Sequence, residues 1–196
     1  MVQSPLMKRA TAEGRLAAAD WEIAALEAIA EQGLAGVGVE PLARRLGVTK
    51  GSFYWHFTDR DALLAATLRR WEDARTERII AGVAGVADPR ERLRRLIRSI
   101  AVGGTEDRIH VALAAASTHH PLVRAVFARV THRRMEYLES CYVELGEAPR
   151  VARRSALLAY TAYIGFVHLR LEAPDELPGD KALAAYIDQF VERLVP

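Results

Sequence analysis

Apolar positions recur along this chain at spacings of three and four, and no strand candidate interrupts them. The pattern predicts a first helix over Ala18–Gln32, stopped by Gly33. Val39, Leu42, Ala43 and Leu46 stand at i, i+3, i+4 and i+7, one apolar face of a second helix that Gly47 ends. A short third helix opens at Lys50-Gly51-Ser52, with Thr49 placed to cap it and Phe53 and Phe57 pointing inward. Asp59 caps a fourth, running through Trp71 to about Ile80, before Gly82, Gly85, Asp88 and Pro89 mark a break. Arg90 to Ile100 is amphipathic, with Leu93, Leu96, Ile97 and Ile100 on one face, and Gly103-Gly104 ends it. An alanine-rich helix over Ile109–Ser117 meets the corner His119-His120-Pro121. Long helices follow from Leu122 to about Leu145 and from Pro149 to about Leu171. Asp180 caps a last helix that turns Leu183, Ile187, Phe190, Val191 and Leu194 inward. The fold class is all-α, with nine helices expected, behind a polar, unpatterned arm over residues 1–15 that carries Lys8, Arg9 and Arg15.

The second and third helices have the layout of a helix-turn-helix. Small Ala43 lies four residues before Gly47, which lets the two helices cross closely. With Phe53 and Phe57 inward, Tyr54, Trp55 and His56 cannot all be buried. A short helix carrying Lys, Ser, Tyr, Trp and His outward suits the DNA major groove. The hydroxyls of Thr49 and Ser52 and the amine of Lys50 lie at its N-terminus, where backbone N–H groups also attract phosphate. Gly51 lets the backbone approach DNA closely. Tyr54 and His56 are placed for phosphates, and Trp55 for thymine methyls. Arg44 and Arg60 are candidates for positioning the DNA backbone; Arg45 has a weaker claim.

Charge changes the picture only locally. The net charge is +2, and residues 1–67 hold 7 basic against 8 acidic side chains. Between Arg44 and Arg60, however, four basic residues face a single acid, Asp59. A lone cysteine, Cys141, excludes an internal disulfide and a zinc-finger cage and falls on an apolar stripe. His110, His119, His120 and His132 lack pairwise metal-ligand spacing, so no metal and no cofactor is expected. The apolar run Ala156–Leu169 is too short for a bilayer and the N-terminus lacks a secretion signal, so a cytoplasmic protein is expected.

GVTKGSFYWHF followed by TDRDALL, with AALEAIAEQG upstream, resembles the tetracycline-repressor (TetR) family of bacterial transcriptional regulators. The likeness covers roughly residues 16–68, with Gly38 where the family usually has Ser or Thr capping the second helix. It implies a TetR-like fold: a three-helix DNA-binding unit over 16–68 and a C-terminal helical bundle over 69–196 for ligand binding and dimerisation. It also implies an effector pocket in that bundle. Trp71, His119, His120, Phe127 and Tyr137 are the candidate ligand contacts, and Met135, Tyr142 and Tyr160 are further aromatic or sulfur-bearing candidates; each is either cavity wall or ordinary core.

The penultimate helix is apolar on nearly every face from Ala156 to Val167, so it must be covered all round, at the centre of the fold or by a second copy. The resemblance implies the second. Leu158, Ala162, Gly165, Phe166 and Leu169, with Ile187, Phe190 and Leu194 of the last helix, are the candidate interface. The expected function is a homodimeric regulator, a repressor on a palindromic duplex released by a small-molecule effector, and not an enzyme. The rival is a helical-bundle enzyme or carrier with a vestigial helix-turn-helix; no nucleophile–base constellation or phosphate loop favours it.

Overall fold

A computed structural model of the chain describes residues 16–99 and 103–196, and of residues 180 and 181 the backbone alone. The arm expected over 1–15 and the inward Ile100 lie outside these residues. In chain order the helices are α1 (Ala18–Gln32), α2 (Val39–Leu46), α3 (Lys50–Tyr54), α4 (Arg60–Glu72), α5 (Arg78–Ala84), α6 (Pro89–Arg98), α7 (Thr105–Ser117), α8 (Pro121–Glu144), α9 (Pro149–Glu172) and α10 (Asp180–Leu194). Short 3₁₀ turns occupy Gly33–Gly36 and Pro174–Glu176, and a π-helical segment occupies Asp73–Glu77 between α4 and α5. With the run from Arg60 to Ala84 counted as one helix, the described residues hold the expected nine and no strand. They divide into two compact units, one ending at Trp71 and the other running from Glu72.

In the first unit, α1 buries Trp21, Ala24, Ala25, Ala28 and Ile29, the stripe its helical period dictates. Asp20 secures its start by accepting from the Ala17 N–H at 2.7 Å. Gly47 takes the left-handed conformation (φ 69°, ψ 29°) at the end of α2, and the Val48 N–H reaches back to the Ala43 carbonyl at 3.0 Å. A side chain at 47 would be strained there, so the turn demands its glycine. Thr49 holds the extended backbone of an N-cap, but its hydroxyl makes no capping bond, contrary to expectation; the Ser52 N–H donates instead to the Thr49 carbonyl. Asp59 does cap α4, accepting from the Ala62 N–H at 2.8 Å.

In the second unit, α8 packs on α6, α7 and α9, and α10 packs on α6 and α9. Ala152, Ala156 and Ala159 give α9 a smooth buried face, in one core with Met135, Cys141 and Tyr142 of α8. The Tyr142 hydroxyl donates to the Leu194 carbonyl at 2.7 Å, tying down the end of α10. Arg92 donates to the Val86 carbonyl at 3.0 Å and to Glu144 at 3.0 Å, fixing α6 against α8. Two boundaries differ from expectation. Helix α7 starts at Thr105, not Ile109, because Gly103 and Gly104 take positive φ and reverse the chain immediately before it. The N-cap of α10 is Gly179, and Asp180 is the first helical residue.

Candidate nucleic-acid interface and bundle cavity

Helix α3 is held from beneath by aromatic packing. Phe53 is fully buried, with its ring edge-on to Trp21 at 5.3 Å and tilted on Phe57 at 5.6 Å. Because Phe53 faces inward, its neighbours in sequence face out: Tyr54 is 56% and Trp55 78% exposed. Such exposure of two large aromatics side by side is costly in water and marks a contact surface. Gly51 and Thr49 are exposed beside them, and Ser52 and His56 are half-buried.

Three of the basic residues already have partners. Arg60 donates through Nε to the Val37 carbonyl at 2.6 Å and through Nη2 to the Leu34 carbonyl at 3.0 Å. It is therefore a staple for the loop between α1 and α2, a structural task besides the expected positioning of the DNA backbone. Arg45 grips Glu31 with two bonds of 2.8 and 2.7 Å and Glu27 at 3.1 Å. Lys50 lies 3.0 Å from Glu40, which raises its pKa and keeps it cationic on the surface, where it can exchange that carboxylate for a phosphate. Arg44 is exposed, with no hydrogen bond or ion pair among the described residues.

The candidate interface residues separate into two groups. Phe166 and Ile187 are buried in the chain's own core, with the Phe166 ring stacked on Tyr186 at 5.9 Å. Both are covered within the chain itself, because an apolar pattern does not say which face is inward. Phe190 and Leu194 are half-buried against the same core. Leu158 and Leu169 are exposed on α9, with Gly165 exposed and Ala162 half-buried between them, and Val151 and Leu157 add to this outer stripe.

A cavity of about 110 Å³ opens within the second unit. Its apolar wall is Ile79, Ile80, Leu96, Ile97, Leu138 and Ala159. Its polar wall is Arg75, Thr76, Asp107, Arg134 and the tyrosines 137, 160 and 163. Of the five expected ligand contacts only Tyr137 lines it, and Tyr160 joins it. Trp71 is buried in the first unit, Phe127 packs on His110 at 5.2 Å, and His119 hydrogen-bonds Thr118 at the corner before α8 where His120 also sits. Sequence reasoning missed Arg75, Asp107, Arg134 and Tyr163. The available signal was a charged or phenolic group at a helix position that periodicity turns inward.

The charges are organised. Asp107 is buried and lies 2.9 Å from Arg170 Nε; burial pushes its carboxyl up, and Arg170 and Arg75 pull it part of the way back. A Cβ at Gly103, whose φ is 53°, would run into the Arg170 guanidinium. Arg134 donates to Thr76 Oγ1 and to the Arg75 carbonyl, both at 3.1 Å, and so binds the π-helical segment to α8. His110 is buried, and burial, then Arg134, His168 and Arg75, push its pKa down to about 3. Among the described residues no group of three His, Cys, Asp or Glu side chains could hold a metal ion, and no helix is long and apolar enough to cross a membrane.

Residues 24–67 match the family described as bacterial regulatory proteins, tetR family. The HTH-type transcriptional regulator BetI of Paraburkholderia phymatum is 28% identical over 181 residues, spanning 88% of this chain and 89% of that protein. A transcriptional regulator from Saccharomonospora viridis in complex with choline shares the fold at a TM-score of 0.71 and 20% identity, over 91% of this chain and 94% of the other. The regulator FadR from Bacillus subtilis in complex with stearoyl-CoA does so at 0.68 and 17%, over 90% and 97%. The family match falls on the helices that present the exposed aromatic face, and the relatives are named transcriptional regulators, not enzymes. Residues 24–67 thus resemble the tetR family of bacterial regulatory proteins, and over most of its length the chain is similar to DNA-binding transcriptional regulators.

Proposed function

We propose that the protein is a homodimeric cytoplasmic repressor that sits on a palindromic operator and leaves it when a small molecule enters the bundle cavity. The observation that carries this reading is the outward Tyr54 and Trp55 on a helix whose opposite side is locked by buried Phe53. Arg44, Thr49, Lys50, Gly51, Ser52, Tyr54, Trp55 and His56 form the DNA contact. One helix this short reads few base pairs, so specificity calls for two copies on two half-sites. The outer stripe of Leu157, Leu158 and Leu169 on α9 supports the pairing, since a monomer would leave these leucines in water.

An effector that prefers the free conformation by about 1–3 kcal/mol would weaken operator binding about 5- to 150-fold. The regulators from S. viridis and B. subtilis were solved with a cation and an acyl-CoA respectively, so the shared fold leaves the ligand open.

The test is a titration of the purified protein on inverted-repeat DNA from beside its own coding region, at several salt concentrations. Binding should fade steeply with salt. Tyr54→Ala and Lys50→Ala should each cost about 1–3 kcal/mol per half-site with the fold intact. Leu158→Glu should yield a folded monomer by light scattering, with specific binding lost. Wild-type protein that is monomeric at micromolar concentration, or a Lys50/Tyr54 double variant that binds like wild type, would refute the reading.

A further inference from the structure

We infer that the cavity of the second unit takes a small organic monoanion, a carboxylate carried on a single ring or a short branched chain. This rests on the effector reading above and names the chemistry of that same site. Size comes first. A dry cavity of about 150 Å³ accommodates benzene, and this cavity measures about 110 Å³ with apolar side chains on one wall. That is smaller than the benzene cavity, but this one is open on one side, so the ligand's body is at most one ring or a few methyl-bearing carbons.

The sign of its charge follows from the other wall. Arg75 and Arg134 bring two positive charges and Asp107 one negative charge. The Asp107 carboxylate is answered by Arg170 at 2.9 Å and Arg75 pairs with Glu106 at 3.5 Å, both partners outside the cavity lining, so Arg75, Arg134 and Arg170 together exceed the two carboxylates by one positive charge. Arg134 is held in place by Thr76 and the Arg75 carbonyl, so its charge is oriented before any ligand arrives. The Tyr137 hydroxyl is buried and has no hydrogen-bond partner among the described residues, a donor waiting for an acceptor. His110, in ring contact with cavity-lining Tyr163 at 6.0 Å, feels the same field: both arginines help hold it neutral.

A quaternary ammonium is the obvious competitor, because Tyr137, Tyr160 and Tyr163 offer aromatic faces to a cation. Two arginines on the same wall oppose it, and the one carboxylate that could receive it is engaged. A carboxylate instead meets Arg75, Arg134 and the Tyr137 hydroxyl together, with the rings along its body.

The experiment compares benzoate and 3-methylbutanoate with the isosteric benzamide and with benzyltrimethylammonium, using the full chain in thermal-shift and calorimetric titrations without DNA. The acids should raise the melting temperature, benzamide should bind at least ten times more weakly, and the ammonium should not bind. Tyr137→Phe removes a hydroxyl that has no partner to lose among the described residues, so it should fold normally and weaken benzoate about tenfold. Arg75→Gln should erase the preference for benzoate over benzamide. Equal or tighter binding of the amide or the ammonium, or no binding of either acid at millimolar concentration, overturns the inference. Operator binding by the same samples is measured in parallel: if it persists while the acids fail, the ligand chemistry is wrong and the regulator reading stands.

Discussion

The two units use the same side chain for different ends. In the first, arginine is a tie: Arg60 closes the loop between α1 and α2, Arg45 clamps α2 to α1, and Arg70 meets Glu22 of α1 at 2.8 Å. The result is a cross-tied frame beneath the outward Tyr54 and Trp55. In the second, arginine also ties, at Arg92 and Arg134, but Arg75 and Arg134 in addition line an internal space and set its potential. A surface that must match a regular partner such as duplex DNA gains from preorganisation, since every side chain frozen beforehand is entropy not lost on binding. A cavity that must admit and release a ligand keeps polar groups incompletely satisfied.

The contrast can be broken most directly at Phe53. Phe53→Ala should cost about 3–5 kcal/mol, because the ring is fully buried under Trp21. The three tryptophans, at 21, 55 and 71, all lie in the first unit, so fluorescence monitors that unit alone while circular dichroism monitors both. Fluorescence should report early unfolding in urea; an unshifted fluorescence midpoint would deny that the aromatic stack is the frame.

Acid should act on the second unit. The folded-state pKa of His110 lies far below its unfolded value, so its contribution is fully present above about pH 6.5 and is lost as pH falls toward 3. At pH 4.5 this amounts to about 2–3 kcal/mol. Asp107 works the other way, since a carboxyl raised by burial gains stability as it takes up a proton. His110→Gln should therefore flatten the acid limb of stability measured by urea unfolding. An unchanged limb would place the acid sensitivity elsewhere.

Arg60 and Arg44 separate tie from contact. Arg60→Ala should cost about 1.5–3 kcal/mol, by leaving two carbonyls without their charged donor. Arg44→Ala should leave stability within about 0.5 kcal/mol and weaken DNA binding alone. The same melting behaviour for both would erase the distinction. The smallest effect concerns the caps: Asp59→Ala should cost about 1 kcal/mol, and Thr49→Ala much less, because only Asp59 makes its capping bond.

The helix-turn-helix was legible because its determinants are contiguous. Gly47, Phe53, Phe57 and the residues between them act on one another through the local backbone, and a period of 3.6 assigns inside and outside without further information. The helix boundaries fell within a few residues for the same reason, the exceptions being at Ile109, where a double glycine starts the helix earlier than the alanine-rich stretch suggests, and at Asp180, where the cap lies one residue earlier. Thr49 shows the limit even there: the residue type allowed a cap, and the side-chain rotamer declined it.

Spacing along one backbone was thus enough for the all-helical class, the helix order, the turn geometry and the aromatic face. Only the tertiary structure decided that Arg60 is a staple, that Phe166 and Ile187 are core while Leu158 is exposed, and that Arg75, Asp107, Arg134 and Tyr163 share one cavity. Periodicity says that a helix has an apolar face; it does not say which neighbour will cover it. Residues separated by up to 88 positions meet in the cavity because α7, α8 and α9 pack side by side, and packing is a property of the assembled chain.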